Sequence, residues 1–77
     1  MTAENATPLR WDAGQMGCGE LILELRQRLK PLPGGTQFVL IAHDPGVPED
    51  LPAWCRMTGH RLLSAPPPEF VLERKPH

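Results

Sequence analysis

The sequence predicts one small α+β domain, a two-layer sandwich in which two helices pack on one face of a four-stranded mixed sheet. Three observations lead to this prediction. The 77 residues suffice for two layers at most, because so short a chain buries only about 60% of its unfolded surface. Residues 20–30 carry an apolar stripe at helical spacing, and residues 38–42 form a continuous apolar run. We expect the order β-α-β-α-β-β over residues 7–75, preceded by a flexible N-terminus over residues 1–6.

The first predicted elements are a strand and the helix that carries the apolar stripe. Residues 7–12 predict a short strand with Leu9 and Trp11 on one face. In the helix, Glu24 and Arg28 are four residues apart on the outer face, which favours an ion pair. The apolar stripe consists of Leu21, Ile22, Leu25 and Leu29.

The central strand and a second helix are predicted next. Residues 36–43 predict the central strand, because their apolar run is continuous rather than alternating. The second helix is predicted to end near Thr58, and the sequence allows two positions for its start. Pro48 suits a first helical position, and Asp50 is a good N-cap. The apolar face of this helix is predicted to consist of Leu51, Trp54, Cys55 and Thr58.

Two further strands complete the predicted sheet. Gly59 is expected to end the second helix as a left-handed cap residue. Residues 60–64 and 70–74 predict the strands, and residues 65–68 predict a stiff, polyproline-like loop between them. One shared core is expected to contain Leu25, Leu29, Val39, Ile41, Leu51 and Trp54.

Composition excludes several classes of function. Eight Lys and Arg residues against nine Asp and Glu residues give a net charge of −1, which argues against a nucleic-acid partner. No apolar run is long enough to span a membrane, and residues 1–5 lack the features of a signal peptide. We therefore expect a cytoplasmic monomer with reduced thiols, although the count also allows a disulfide between Cys18 and Cys55. Chemistry is expected at the surface, because a domain of this size has little room for a deep cavity.

Cys18 is the residue that most strongly suggests chemistry. It lies between Gly17 and Gly19, directly before the apolar stripe, so its sulfur is predicted at or next to a helix N-terminus. The positive end of the helix dipole favours a thiolate there, with a pKa below the value of about 8.5 for free cysteine. The flanking glycines leave the sulfur uncrowded. The alternative is that Cys18 is a small apolar residue that fills a gap.

Two acidic residues are predicted to support this site, and a metal site is not expected. Asp12 is expected to cap or brace the turn before Cys18, while Glu20 in the first helical turn complements the dipole. Cys55 lies beside Trp54 on an apolar helix face, which predicts a buried structural role. The sequence contains no Cys-x-x-Cys or His-x-x-x-His spacing of the kind that binds zinc.

An ordered set of short motifs runs through the chain. In order they are Asp12, Cys18, Leu32, Gly35, the apolar run 38–42, Asp44-Pro45, Asp50-Leu51-Pro52, Trp54 and Gly59-His60. As a set they resemble the TusA/SirA/YedF-like sulfurtransferase family, over residues 9–75. The resemblance implies that Cys18 is the reactive residue. The supporting or partner-docking positions are then Asp12, Gly17, Gly19 and Glu20.

The chain departs from the family's pattern at its central motif. That motif is Cys-Pro-x-Pro, whereas this chain reads Cys18-Gly19-Glu20-Leu21, without either proline. The first proline fixes the start of the helix next to the sulfur, and Gly19 leaves that turn less constrained. The fold prediction is unaffected, because the cysteine and the downstream motifs are intact.

The resemblance implies a small sulfur carrier. Cys18 would accept a sulfane sulfur as a persulfide from a donor protein of the cysteine desulfurase or rhodanese type, and would pass it to an acceptor protein. No cofactor or metal, no direct nucleic-acid contact and no membrane are implied. Thiolate fraction, access and approach direction would set the rate. The alternative is a non-catalytic binding or regulatory module that keeps the fold.

Overall fold

The computed structural model describes residues 9–76 and contains six elements. They are β1 (Leu9–Asp12), α1 (Cys18–Leu29), β2 (Gln37–Ile41), α2 (Val47–Thr58), β3 (Arg61–Ser64) and β4 (Glu69–Glu73). The predicted order and the α+β class are confirmed. The expected flexible stretch over residues 1–6 and the first two residues of the predicted first strand lie outside the described residues.

The four strands form one mixed sheet in the order β1-β2-β4-β3. β1 and β2 are parallel, whereas β4 is antiparallel to both β2 and β3. The carboxyl ends of two neighbouring parallel strands meet at the same edge of a sheet. Since α1 follows β1 and α2 follows β2, both helices begin at that edge. This arrangement positions the site described below.

The core lies between the two helices and one face of the sheet. In β2, Phe38 and Leu40 point into it, and they pair with Leu72 and Phe70 of β4 on the same face. The helices contribute Leu21, Leu25 and Leu29 from α1 and Val47, Leu51, Trp54 and Cys55 from α2. Both helices therefore pack on one face of the sheet, as predicted.

The expectation that Val39 and Ile41 share this core is wrong. Successive side chains of a strand point to opposite faces, so these two residues lie on the face of the sheet away from the helices. Both are nevertheless at most 9% exposed. Arg10 pairs with Val39 in the sheet and forms an ion pair with Glu69, at 3.5 Å, across this face. A continuous apolar run does not alternate with polar residues, so the sequence does not show which of its side chains face the helices.

α1 begins two residues before its predicted start. The N–H of Leu21 donates to the carbonyl of Gly17 at 2.8 Å, which makes Cys18 the first helical residue. The predicted ion pair between Glu24 and Arg28 is present at 3.1 Å. The stripe residues Leu21, Leu25 and Leu29 are at most 1% exposed, and Ile22 is half-buried.

α2 begins earlier than either predicted start. Gly46 is its N-cap, and Pro48 lies in the first turn as its second residue. Val47 is fully buried in the core, which extends the helix back beyond the point that capping preferences suggest. Gly59 ends the helix at φ +92°, and its N–H donates to the Cys55 carbonyl at 2.9 Å, which confirms the predicted left-handed cap.

The connection between β3 and β4 is a turn rather than an extended polyproline segment. The N–H of Glu69 donates to the carbonyl of Pro66 at 2.9 Å across this turn. Four residues join two neighbouring antiparallel strands, so the chain has to reverse direction within residues 65–68. That geometry outweighs the extended preference of consecutive prolines. No helix in residues 9–76 has the length and apolar character needed to cross a membrane.

Candidate functional site around Cys18

Cys18 is the first residue of α1, and its side chain is half-buried at the margin of the core. Gly17 is the N-cap residue, with extended backbone and no side-chain capping bond. The first N–H groups of the helix therefore lack helical acceptors at the position of the thiol. Both cysteines are free.

The turn between β1 and α1 holds Cys18 beside the carboxyl edge of the sheet. Asp12 accepts a hydrogen bond from the N–H of Gly14 at 2.9 Å, and Gly14 has φ +60°, which favours glycine. The turn is tied to β2 because the N–H of Ala13 donates to the Ile41 carbonyl at 2.8 Å. Asp12 thus stabilises the turn. Among the hydrogen bonds within residues 9–76, none joins Asp12 to the sulfur of Cys18.

The glycines on either side of Cys18 leave open space. A Cβ at Gly17 or at Gly19 would meet no atom of the described chain within 4 Å, and neither residue has a positive φ. The fold itself therefore does not require glycine at either position. Glu20, in the first turn of α1, is exposed. Together these three residues form a surface beside the thiol that is free of packing constraints within residues 9–76.

The start of α2 lies next to Cys18. A Cβ built on Gly46 would be 3.8 Å from the Cβ of Cys18, 3.0 Å from Oδ2 of Asp44 and 3.7 Å from Oδ2 of Asp50. The same Asp44 oxygen accepts a hydrogen bond from the N–H of Gly46 at 3.0 Å. Two carboxylates of the second helix start thus stand close to the thiol of the first.

The sequence alone did not indicate that Asp44 and Asp50 are neighbours of Cys18. They are more than twenty residues away from it in the chain, and only the parallel pairing of β1 with β2 brings the two helix starts together. The signal that could have found them was the repeated strand-then-helix order on one face of the sheet.

The surroundings raise the pKa of Cys18 to about 11, so the prediction of a lowered pKa is wrong. Burial of the sulfur is the largest cause. Next come the interaction of the thiol with the neighbouring Asp50 carboxylate and the negative charges of Asp50 and Asp44. A helix N-terminus supplies only about half a positive charge, which two nearby carboxylates outweigh. In the free protein at neutral pH, Cys18 is therefore a thiol rather than a thiolate.

Cys55 is a buried thiol of the core. It is 3% exposed, and burial alone raises its pKa to about 11. It lies on the α2 face that packs on the sheet, far along the helix from the α2 start that neighbours Cys18. Within residues 9–76, no three His, Cys, Asp or Glu side chains are grouped as they would be around a metal ion.

Within residues 9–76, carboxylates without an ion pair lie at the same end of the fold as Cys18. Among the described carboxylates, those of Glu24, Glu69 and Glu73 form ion pairs. The other five lie at the carboxyl edge of the parallel strands or in the first turns of the helices. We call them the acidic end, and they are Asp12, Glu20, Asp44, Glu49 and Asp50.

The fold and the site define a class of protein: a small α+β domain that presents one partly exposed thiol at a helix start. Comparison with known families supports a more specific assignment. The model of the family described as Sulfurtransferase TusA matches residues 10–73. The chain belongs to this family, as the ordered motifs of the sequence indicated.

Individual relatives agree with this assignment. The chain is 36% identical over 53 residues to the sulfur carrier protein TusA of Pseudomonas syringae, covering 69% of the chain and 63% of the relative. It is 36% identical over 52 residues to the protein of the same name from Pseudomonas putida, covering 68% and 65%. For the Buchnera aphidicola protein the identity is 29% over 52 residues, covering 68% and 66%. The matches thus span slightly under two thirds of the length of these curated relatives.

Proposed function

We propose that this chain is a sulfur carrier in which Cys18 accepts a sulfane sulfur as a persulfide and passes it to a partner protein. The observation that carries the proposal is the position of Cys18, half-buried at the first residue of α1 with open space at the glycines on both sides. Membership of the TusA family and similarity to proteins named sulfur carrier protein TusA support the same function.

The transfer step needs no oxidant or cofactor. The Cys18 sulfur attacks the terminal sulfur of a persulfide on the donor, a new S–S bond forms, and the donor cysteine leaves as a thiolate. The proton of Cys18 passes to a base or to the departing thiolate. In the second half of the cycle, an acceptor thiolate attacks the same terminal sulfur and Cys18 leaves. One S–S bond forms and one breaks in each step, so no net oxidation takes place.

The raised pKa of Cys18 adds a requirement for the donor. Burial of the sulfur, followed by Asp50 and Asp44, keeps the thiol protonated in the free chain, so a productive partner has to weaken part of this effect. A donor that places Lys or Arg side chains against these carboxylates would lower the pKa of Cys18 on docking. We propose a donor of the cysteine desulfurase or rhodanese type with a basic docking surface, in a cytoplasmic setting that keeps thiols reduced.

Mass measurement tests the proposal directly. The protein is incubated with a cysteine desulfurase and cysteine, and the intact mass is measured under non-reducing conditions. We expect one added sulfur on the wild type and on Cys55→Ser, and none on Cys18→Ser. An adduct that persists in Cys18→Ser would contradict the assignment of Cys18.

The missing motif prolines and the raised pKa favour one competing function, a binding module that keeps the fold without the chemistry. The variant Gly19→Pro separates the two. If the wild type takes up no sulfur while Gly19→Pro does, the natural sequence has lost the reaction and the binding module is correct. Uptake by both proteins supports the carrier.

A further inference from the structure

A second feature lies at the end of the molecule opposite the acidic end. It is an open cavity of about 150 Å³ near the C-terminal ends of both helices, the start of β3 and the end of β4. Four cationic side chains line it, together with the rings of His60 and Trp54. The four are Arg26, Lys30, Arg74 and Lys75, and no carboxylate of residues 9–76 lines the cavity.

These four positive charges are not neutralised by the described part of the chain. The ion pairs found within residues 9–76 use Arg10, Arg28 and Arg61 instead. Two helix C-termini supply about half a negative charge each, or about one charge against four. The basic cavity therefore keeps a large positive excess in a chain whose net charge is −1.

Part of this basic cavity is held rigidly. Arg74 donates to the carbonyls of Leu29 and Lys30 at 3.1 and 3.2 Å, which fixes its guanidinium at the end of α1. It also donates to the Lys75 carbonyl at 3.1 Å. A guanidinium fixed in this way loses little further conformational freedom when it meets a ligand.

His60 adds a neutral hydrogen-bond donor. Its Nδ1 accepts a hydrogen bond from the N–H of Lys75 at 2.9 Å, so the neutral ring carries its proton on Nε2. Burial, followed by the positive charges of Lys75 and Arg74, lowers the pKa of His60. The ring packs against Trp54 with centroids 5.2 Å apart. The positive charges that line the cavity therefore act on the His60 ring and favour its neutral form.

We propose that the basic cavity binds an oxyanion of the phosphate class, either free or as the phosphate group of a small molecule. A cavity needs about 10–15 Å³ to hold one water molecule. The basic cavity, at about 150 Å³, therefore has room for a phosphate group or a pyrophosphate. Arginine and lysine side chains are the usual partners of such groups, and guanidinium geometry matches two phosphate oxygens at once.

This binding site is separate from the proposed sulfur chemistry. Cys18 begins α1 and Lys30 directly follows its end, so a helix of 12 residues lies between them. At 1.5 Å per residue the separation is about 18 Å. A ligand in the basic cavity would leave Cys18 open to a partner, and the proposal stands or falls independently of the sulfur carrier.

The first test is a titration of the ¹⁵N-labelled protein with pyrophosphate, followed by two-dimensional NMR at constant ionic strength. We expect saturable shifts of the Trp54 indole and of the Arg74 and Lys75 amides, and none at Cys18. Sodium chloride at the same ionic strength is the reference. Equal shifts with chloride, or shifts that grow without saturation, would overturn the proposal.

Two exposed arginines give a matched pair of variants. Arg26 lies in the last turn of α1 and lines the cavity, whereas Arg56 lies in the last turn of α2 and does not. Arg26→Gln should weaken pyrophosphate binding about tenfold, the usual effect of losing one charged hydrogen bond. Lys75→Gln should do the same, and Arg56→Gln should leave the affinity unchanged. Equal weakening by Arg26→Gln and Arg56→Gln would show a diffuse charge effect and refute a defined site.

A third arm identifies the source of the phosphate. Inorganic phosphate, pyrophosphate and a nucleoside diphosphate are compared at the same ionic strength. Affinity that depends only on the phosphate part points to a free oxyanion, and tighter binding of the nucleoside diphosphate than of pyrophosphate points to a phosphorylated small molecule. Failure of all three ligands to bind would reject the proposal.

Discussion

The reactivity of Cys18 depends on residues at the start of a different helix. The thiol sits where the dipole of α1 favours an anion, yet burial, followed by the charges of Asp50 and Asp44 at the start of α2, reverses that preference. The dipole effect is visible from the segment 15–21, whereas the effect of the two carboxylates is not. The position of Cys18 was predictable from its neighbours in the chain, whereas its pKa depends on how β1 and β2 pair.

Removing the charge of Asp50 should therefore make Cys18 more reactive. In the wild type, alkylation of Cys18 should increase with pH through about 11. Asp50→Asn should move that profile to lower pH by on the order of one unit, which raises the rate at neutral pH about tenfold. The pKa should stay above its ordinary value, because burial remains. Rates of iodoacetamide labelling across pH, read by peptide mass spectrometry, measure the shift.

Glu49→Gln is the control for this experiment. Glu49 precedes Asp50 in the first turn of α2 and carries the same charge, but it is not among the causes of the Cys18 shift. Its loss should leave the profile almost in place. Equal shifts in both variants would mean that general charge, rather than contact with Asp50, controls the thiol.

The two cysteines should differ in labelling rate even though their pKa values are similar. Both are raised to about 11, but Cys18 is half-buried at a helix start, while Cys55 is 3% exposed within the core. Access then decides the rate, and Cys18 should react faster in the folded protein. In denaturant the two rates should converge. Faster labelling of Cys55 in the folded state would refute this assignment.

At the scale of the element, the start of α1 explains how the chain tolerates the loss of both motif prolines. Gly19 is the second residue of α1, and Pro48 occupies the same position in α2. The N–H of a second helical residue has no helical acceptor, so proline fits there. Leu21 differs, because its N–H donates to Gly17 at 2.8 Å and its side chain is fully buried.

The two positions should consequently respond to proline in opposite ways. Gly19→Pro should raise the free energy of unfolding by about 0.4–1 kcal/mol, because it restricts the unfolded chain without strain in the folded one. Leu21→Pro should lower it by about 3 kcal/mol or more, since it removes a hydrogen bond and a core side chain. Urea denaturation measures both. Destabilisation by Gly19→Pro would show that the start of α1 has a different backbone conformation.

Local patterns predicted the order of the elements, but they did not predict the phase of the central strand. The predictions of the apolar stripe of α1 and of the cap at Gly59 depend only on residues that are close in the chain, and both are confirmed. The continuous run of β2 gave no basis for choosing between its two faces, so Val39 was assigned to the core in place of Phe38 and Leu40. Pairing with β4 and packing of the helices decide this choice.

Alanine substitutions on the two faces of β2 should have unequal effects. Leu40 is fully buried under the helices, and Leu40→Ala should lower the free energy of unfolding by about 2–5 kcal/mol. Val39 lies on the opposite face, and Val39→Ala should cost about 1–2 kcal/mol, mainly the burial of the groups removed. Chemical denaturation of the two variants tests the assignment. A larger loss for Val39→Ala would place the core on the other face.

At the scale of the whole molecule, the charges are segregated although their sum is nearly zero. The acidic end lies at the helix starts, where Cys18 also lies, and the basic cavity lies at the opposite ends of the helices. The sequence total of −1 could not reveal this, because the segregation depends on both helices running in the same direction on one face of the sheet. A molecule with this polarity would approach a charged partner in a preferred orientation.

If the proposed donor has a basic docking surface, the rate of sulfur uptake should depend on the acidic end rather than on net charge. Glu20→Gln and Gln27→Lys each change the net charge by +1, but only Glu20 lies at the acidic end, while Gln27 is exposed further along α1. Glu20→Gln should slow transfer from a cysteine desulfurase about two- to fivefold at low salt, a typical loss for one steering charge. Gln27→Lys should leave the rate nearly unchanged.

Raising the salt concentration should reduce the difference between the two proteins, since it screens exposed charges. The rate is read from the growth of the persulfide adduct in intact-mass measurements. Equal rates for the two variants at low salt would mean that the acidic end does not guide the donor to Cys18.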